Sequence, residues 1–196
     1  MGAPIRVEKC KWNGRVSSSE PAYVVTSTPS LQAWFEPAGT PRTRPTLGTT
    51  ESLVRDQLWV TAVDEWWVLC ASAERDVITG LVLHAAVPLE PAAHGVLTWI
   101  DLDLDLEINA GRLSLEDVDV FHDHAATMAY PNDVIRGAWS GISRVAPRYT
   151  TREWPFDGWL DQLLVLARQD AGQKQHPAWR HERRAPRPPL GPALLP

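Results

Sequence analysis

The chain has 196 residues, 44% of them hydrophobic, with a net charge of −5. That is enough for one well-packed domain, and the acidic balance argues against a protein built to coat nucleic acid. No stretch approaches the eighteen or more apolar residues of a membrane span, and "MGAPIRVEKCKWNG" has no apolar h-region of a signal peptide. The expectation is a soluble cytoplasmic protein with a small-molecule substrate, no nucleic acid and no membrane as partner, and a homodimer left open. Cys10 and Cys70 lie far apart in strand-like surroundings and read as buried, reduced thiols.

The first half reads as strands. "IRVEKCKW", "AYVVTST", "LQAWFE", "LWVTAV", "WWVLCASA" and "GLVLHAAV" are short and rich in β-branched or aromatic residues. Turn chemistry separates them: Asn13-Gly14, Asp64-Glu65 and the stretch "EPAGTPRTRPTLGTT". The segment "WIDLDLDLEINAG", from Trp99 to Gly111, reads as a further strand closed by a hairpin at Asn109 to Gly111. The pattern predicts an α+β fold, an antiparallel β-barrel followed by C-terminal helices.

In the second half, Ser114 and Asp117 have capping-box-like spacing ahead of "DVFHDHAATMA". Pro131 suits the first turn of a helix whose apolar stripe is Val134, Ile135, Ala138, Ile142 and Val145. Trp159, Leu160, Leu163, Leu164 and Ala167 form another stripe, with Asp157 as N-cap and Gly172 just past its end. Residues 1–172 are therefore expected to form a single domain. Residues 173–196, Pro- and Arg-rich, read as a disordered tail. The sequence contains no P-loop, dinucleotide fingerprint or zinc spacing.

The chemistry gathers in the aspartate strand. Residues two apart on a strand share a face, so Asp101, Asp103 and Asp105 should point one way and Ile100, Leu102, Leu104 and Leu106 the other. Neighbouring carboxylates would then stand roughly 6.5–7 Å apart. Their repulsion is about 0.6 kcal/mol per pair in water and about 2.5 kcal/mol at an effective dielectric near 20. A face open to water tolerates that, whereas an enclosed one needs protons or a cation. "SLEDVDVFHDH" adds Glu116, Asp117, Asp119, Asp123 and two histidines, and His84 interrupts the apolar strand "LVLHAAVP". Carboxylates suit Mg²⁺ and Mn²⁺, while imidazole favours Mn²⁺ or Co²⁺ over Mg²⁺.

The run "WIDLDLDLE", its hairpin, the acidic helix start and "AYPNDVI" resemble the domain-of-unknown-function 402 family. That family holds bacterial nucleoside tri- and diphosphatases and the cytidylyl-phosphonate hydrolase of fosfomycin biosynthesis. The resemblance runs from about Ile5 to Leu166 and takes in "KCKWNGRV" and "EWWVLCASAE". It implies a β-barrel with C-terminal helices, a divalent-metal site at the barrel mouth and hydrolysis of phosphoanhydride-type bonds with Mn²⁺, Mg²⁺ or Co²⁺. It carries metal-binding roles onto Asp101, Asp103, Asp105 and Asp117. His84 stands where the family has a metal-binding asparagine. A further acidic position falls on Val120, and an arginine treated as catalytic in the phosphatases falls on Ser18.

Two functions follow. One is a divalent-metal-dependent hydrolase of a nucleoside di- or triphosphate or a nucleotidyl-phosphonate, in which the metal clamps phosphate oxygens and activates water. Arg75 is then the candidate catalytic cation, set against its plainer reading as a solvated turn arginine. Trp66 or Trp67 would stack on the base, set against burial in the core. The alternative is a repurposed natural-product biosynthetic enzyme, a ring-forming cyclase that uses an apolar, tryptophan-rich barrel as a reaction chamber without metal. A binding protein using the same barrel without turnover is the remaining reading.

Overall fold

The computed structural model describes residues 2–90 and 94–173. Ten strands come first: β1 (Pro4–Lys11), β2 (Val16–Ser27), β3 (Leu31–Glu36), β4 (Pro41–Arg44), β5 (Thr49–Ser52), β6 (Asp56–Ala62), β7 (Trp67–Glu74), β8 (Val77–Ala86), β9 (Val96–Asn109) and β10 (Arg112–Glu116). Three helices follow: α1 (Val118–Thr127), α2 (Asn132–Thr151) and α3 (Trp159–Gln173). The α+β class is as expected. The tail expected from 173 onward lies, but for Gln173, outside the described residues.

All the strands belong to one sheet, in the order β1-β9-β8-β7-β6-β3-β2-β4-β5, with β10 paired to β9. β1 also pairs with β2, so the path that leaves β1 through β9 returns to it. The expectation of an antiparallel sheet needs correction, because β1 and β9 run parallel, from Arg6 beside Val96 to Lys11 beside Asp101. The cause is parity. Seven strands lie on the returning path, and six antiparallel steps bring β9 back to the direction of β1.

Period-2 patterning divides the core between the two faces of the sheet. Leu102, Leu104, Leu106 and Ile108 of β9 pack with the helices, together with Leu58, Val60, Leu69 and Leu83. Each fully buried leucine of this kind contributes about 1.5–3 kcal/mol. Leu97 and Trp99 turn to the opposite face, with Ile5, Val7, Trp34, Trp59 and Cys70. Both cysteines are buried free thiols, and burial raises the pKa of each.

Of the predicted helical stripes, Val134, Ala138, Ile142 and Val145 on α2 and Leu160, Leu163, Leu164 and Ala167 on α3 are buried, while Ile135 and Trp159 are half-buried against the same core. Asp157 caps α3, its Oδ1 accepting the Trp159 amide at 3.1 Å, while the helix continues through Gly172 to Gln173. Ser114 is not part of a cap. It lies in β10, and Asp117 makes no side-chain capping bond to α1. The stretch read as one long turn contains the hairpin β4–β5, whose short polar strands carry no hydrophobic alternation.

Candidate metal centre

β8 and β9 pair His84 with Asp105 and Ala86 with Asp101, so two steps on β8 span four on β9. The extra length is accommodated beside Asp103, whose φ of 61° is left-handed. Aspartate tolerates that region better than most residues, and strand irregularities of this kind re-aim side chains. A straight strand would set Cα atoms four residues apart at about 13 Å. Instead, ligand atoms of His84, Asp101 and Asp105 all lie within 4.8 Å of one another. The evenly spaced carboxylate row expected from the sequence is thus a bent one.

Asp101 is buried, at 2% exposure. Its Oδ2 accepts Lys9 Nζ at 2.9 Å and Lys11 Nζ at 2.7 Å, and Lys11 also bonds Asp103 Oδ1. Asp101 Oδ1 accepts the Asp103 amide at 3.3 Å. Burial alone would raise the Asp101 pKa, but the charges of Lys9, Lys11 and His84 outweigh it and hold the carboxyl well below its usual range. The same pairing lifts Lys11: burial lowers its pKa, and Asp101 and Asp103 more than reverse that.

Two imidazoles complete the cluster. His84 Nδ1 lies 3.0 Å from Asp105 Oδ1, and His124 Nδ1 lies 2.7 Å from Asp103 Oδ2. His84 joins a triangle of rings with Trp59 and Trp99, its centroid 5.7 Å from the first and 5.6 Å from the second, which lie 5.8 Å from each other. Trp59 in turn stacks on Trp34 at 5.8 Å. The nearby Tyr130 hydroxyl is buried and has no hydrogen-bond partner among the described residues. Burial first, then Asp103 and Asp101, push its pKa up to about 12.

The donor set fits a divalent cation. Three ligand atoms evenly spread about 2.1 Å from one ion stand about 3.6 Å apart, so the cluster, whose atoms lie within 4.8 Å of one another, would draw together around an ion. Asp103 and Asp117 stand outside the tightest set. Asp117 is exposed at the start of α1, where burial and then Asp105 and Asp103 raise its pKa, which places it within their field.

Other candidates are not brought here. Arg75 is exposed in the turn joining β7 to β8, with a left-handed φ of 52°. About seven strand steps, roughly 23 Å, separate that turn from His84. Trp67 is fully buried on the helix-covered face against Trp154. Trp66 packs on α2, where a Cβ at Gly137 would fall 2.3 Å from its ring. Those two glycine-facing and core positions serve helix packing, and the indoles beside the centre are Trp59 and Trp99. Ser18 is buried, its Oγ donating to Glu20 Oε1 at 3.3 Å, and Val120 is exposed on α1.

Lys9, Lys11 and His124 were not singled out from the sequence. The alternation "KCK" matches that of "DLDLD", but it acquires meaning only once β1 lies parallel to β9. His124 belongs to the acidic helix segment, and its approach to Asp103 depends on how α1 packs.

A mixed sheet with C-terminal helices and a carboxylate–imidazole cluster on a bulged strand defines the class of structure. No protein-family model and no curated protein matches the chain. Solved structures do. The complex of FomD with CDP superposes with a TM-score of 0.67 at 18% identity, covering 81% of this chain and 90% of that one. The phosphatase SC4828 with the non-hydrolyzable nucleotide GPCP gives 0.66 at 19% identity, covering 81% and 87%. The chain shares their fold, in keeping with the resemblance carried by its aspartate motif.

Proposed function

We propose that the chain is a divalent-metal-dependent hydrolase acting on a nucleoside di- or triphosphate or a nucleotidyl-phosphonate. The observation that carries this reading is the convergence of His84, Asp101 and Asp105 within 4.8 Å. The fold shared with a CDP-bound FomD and a GPCP-bound phosphatase supports the substrate class. In this reading the returning path of strand pairings is a barrel, and the centre lies on the strands β8 and β9.

His84, Asp101 and Asp105 would hold the cation, with Asp103 and Asp117 adding negative charge around it. Such an ion supplies charge stabilisation on phosphate oxygens and lowers the pKa of water. Lys9 and Lys11 keep Asp101 ionised and in position, and Lys11 fixes Asp103. Three carboxylates against two ammonium groups leave the cluster one negative charge when both imidazoles are neutral, which favours a cation. The packing of His84 against Trp59 and Trp99 restricts its ring, which lowers the cost of orienting it for binding.

The cyclase alternative lacks support. The cavity of about 220 Å³ beside His84 is lined by Lys9, Glu20, Arg42 and Arg44 as well as Trp59. That lining would bind polar groups and would not enfold a hydrocarbon chain.

The test is release of phosphate or nucleoside monophosphate from a panel of nucleoside di- and triphosphates and cytidylyl esters with Mn²⁺, Co²⁺ or Mg²⁺. Turnover of at least one, abolished by chelator, is expected. No metal-dependent release from any of them contradicts the reading.

A further inference from the structure

The cavity next to His84 is built around two arginines from one strand. Ser19 of β2 pairs with Thr43 of β4, so Arg42 and Arg44, two apart, share a side of β4 as Ser18 and Glu20 share a side of β2. All four line the cavity, together with Lys9 and His84. Lys9 and His84 also bond the carboxylates of the centre, so the cavity and the centre share a wall.

Arg42 is anchored. Its Nη2 donates to Glu36 Oε2 at 3.0 Å and to Gln57 Oε1 at 2.6 Å, and its Nε lies 3.5 Å from Glu20 Oε1. Glu20 and Glu36 are both buried, and burial raises the pKa of each. Among the described residues Arg44 is held only by Glu51, at 2.7 Å, with both side chains substantially exposed. An exposed pair of this kind is weak, so Arg44 can change partners at little cost. The geometry therefore offers one fixed guanidinium and one adaptable one facing a small cavity. Guanidinium forks match the tetrahedral oxyanions of phosphorus.

We propose that this cavity is an anion subsite, in which Arg42 and Arg44 hold a phosphoryl or phosphonyl group of the substrate that is not the one cleaved. The inference rests on the nucleotide-hydrolase reading and adds to it a place for the second phosphorus centre. The charge balance agrees: Lys9, Arg42 and Arg44 line the cavity against one carboxylate, Glu20.

The experiment is calorimetric titration of the full chain with inorganic pyrophosphate and with methylphosphonate in excess chelator. The parent is expected to bind at least one of them without metal. Arg44→Ala should weaken that binding about tenfold, the scale of one charged hydrogen bond, and Arg44→Lys should restore part of it. Arg112→Ala removes the same charge from an exposed position on β10 and should leave affinity unchanged. The subsite is overturned if the parent binds neither anion in chelator, or if the Arg44 and Arg112 variants weaken binding equally. Anion binding without any nucleotide hydrolysis would uphold the subsite and sink the hydrolase reading. Hydrolysis with an unchanged KM in Arg44→Ala would do the reverse.

Discussion

His84 on β8 and Asp105 on β9 stand opposite one another in register, with Nδ1 and Oδ1 3.0 Å apart. The contact explains how a histidine is accommodated in a strand that is otherwise apolar. Its imidazole has a carboxylate on its edge and packs in a triangle of rings with Trp59 and Trp99. If it is a ligand, His84→Ala should weaken Mn²⁺ binding about tenfold or more, equivalent to 1.4 kcal/mol or above. His84→Asn, which keeps an oxygen donor, should largely preserve it. Isothermal titration of both variants checks this, and parent-like binding by both would reduce His84 to a packing residue.

Asp105 carries the second expectation. Asp105→Asn removes a ligand charge while preserving shape, and so weakens the hold on the ion that lowers the pKa of bound water. Turnover of whichever nucleotide the panel identifies should fall at least about a hundredfold, comparable with the loss of one charge-stabilising group elsewhere. Measuring kcat with saturating metal separates this from simple loss of affinity. A variant that turns over at the parent rate would remove Asp105 from the centre.

The buried glutamates give a pH dependence with a definite sign. Glu36 has a folded-state pKa of about 8 against an ordinary value of 4.5. Between those values the folded chain holds a proton that the unfolded chain has released, so this contribution to stability falls as pH rises. Asp101 acts in the opposite sense, because its pKa is depressed. Its contribution is present above the ordinary aspartate range and is lost as pH falls below it. Urea midpoints measured from pH 5 to 9 should decline from pH 5 to about 8 and level off above it, and Glu36→Gln should flatten the decline whatever its own baseline. An equal slope in both proteins would contradict the assignment to Glu36.

The packing of α2 on the sheet offers a stability test away from the centre. A Cβ at Gly141 would lie 2.2 Å from the Trp66 carbonyl oxygen, and backbone cannot swing aside as a side-chain tip can. Gly141→Ala should cost about 1–3 kcal/mol by overpacking, a fall in Tm of several degrees for a chain of this size. An unchanged Tm would show that the helix can shift outward freely.

Most of the fold was legible because burial on one face leaves a period-2 or period-3.6 trace. β3 was read to the residue, and the α2 and α3 stripes were read in register, since each packs on a core that rewards apolar residues. β4 and β5 left no such trace: Pro41–Arg44 and Thr49–Ser52 are polar, and Arg42 and Arg44 face the cavity. The parallel pairing of β1 with β9 joins segments almost a hundred residues apart, and no local pattern encodes it. For that reason the aspartates were visible in the sequence and their lysine partners were not. For Trp66 and Trp67 the sequence leaves base stacking and core burial both open, because an aromatic pair looks the same whether it faces a ligand or a helix; the structure packs both against helices.

The central claim is that His84, Asp101 and Asp105 hold one divalent cation, and anomalous diffraction from crystals grown with Mn²⁺ tests it most directly. An anomalous peak is expected within about 2.0–2.2 Å of a nitrogen of His84 and of carboxylate oxygens of Asp101 and Asp105. The Lys9 and Lys11 ammonium groups should be drawn back from the oxygen the ion takes. Asp101 still bonded to both lysines, with no anomalous density among the three residues at saturating Mn²⁺, would contradict it.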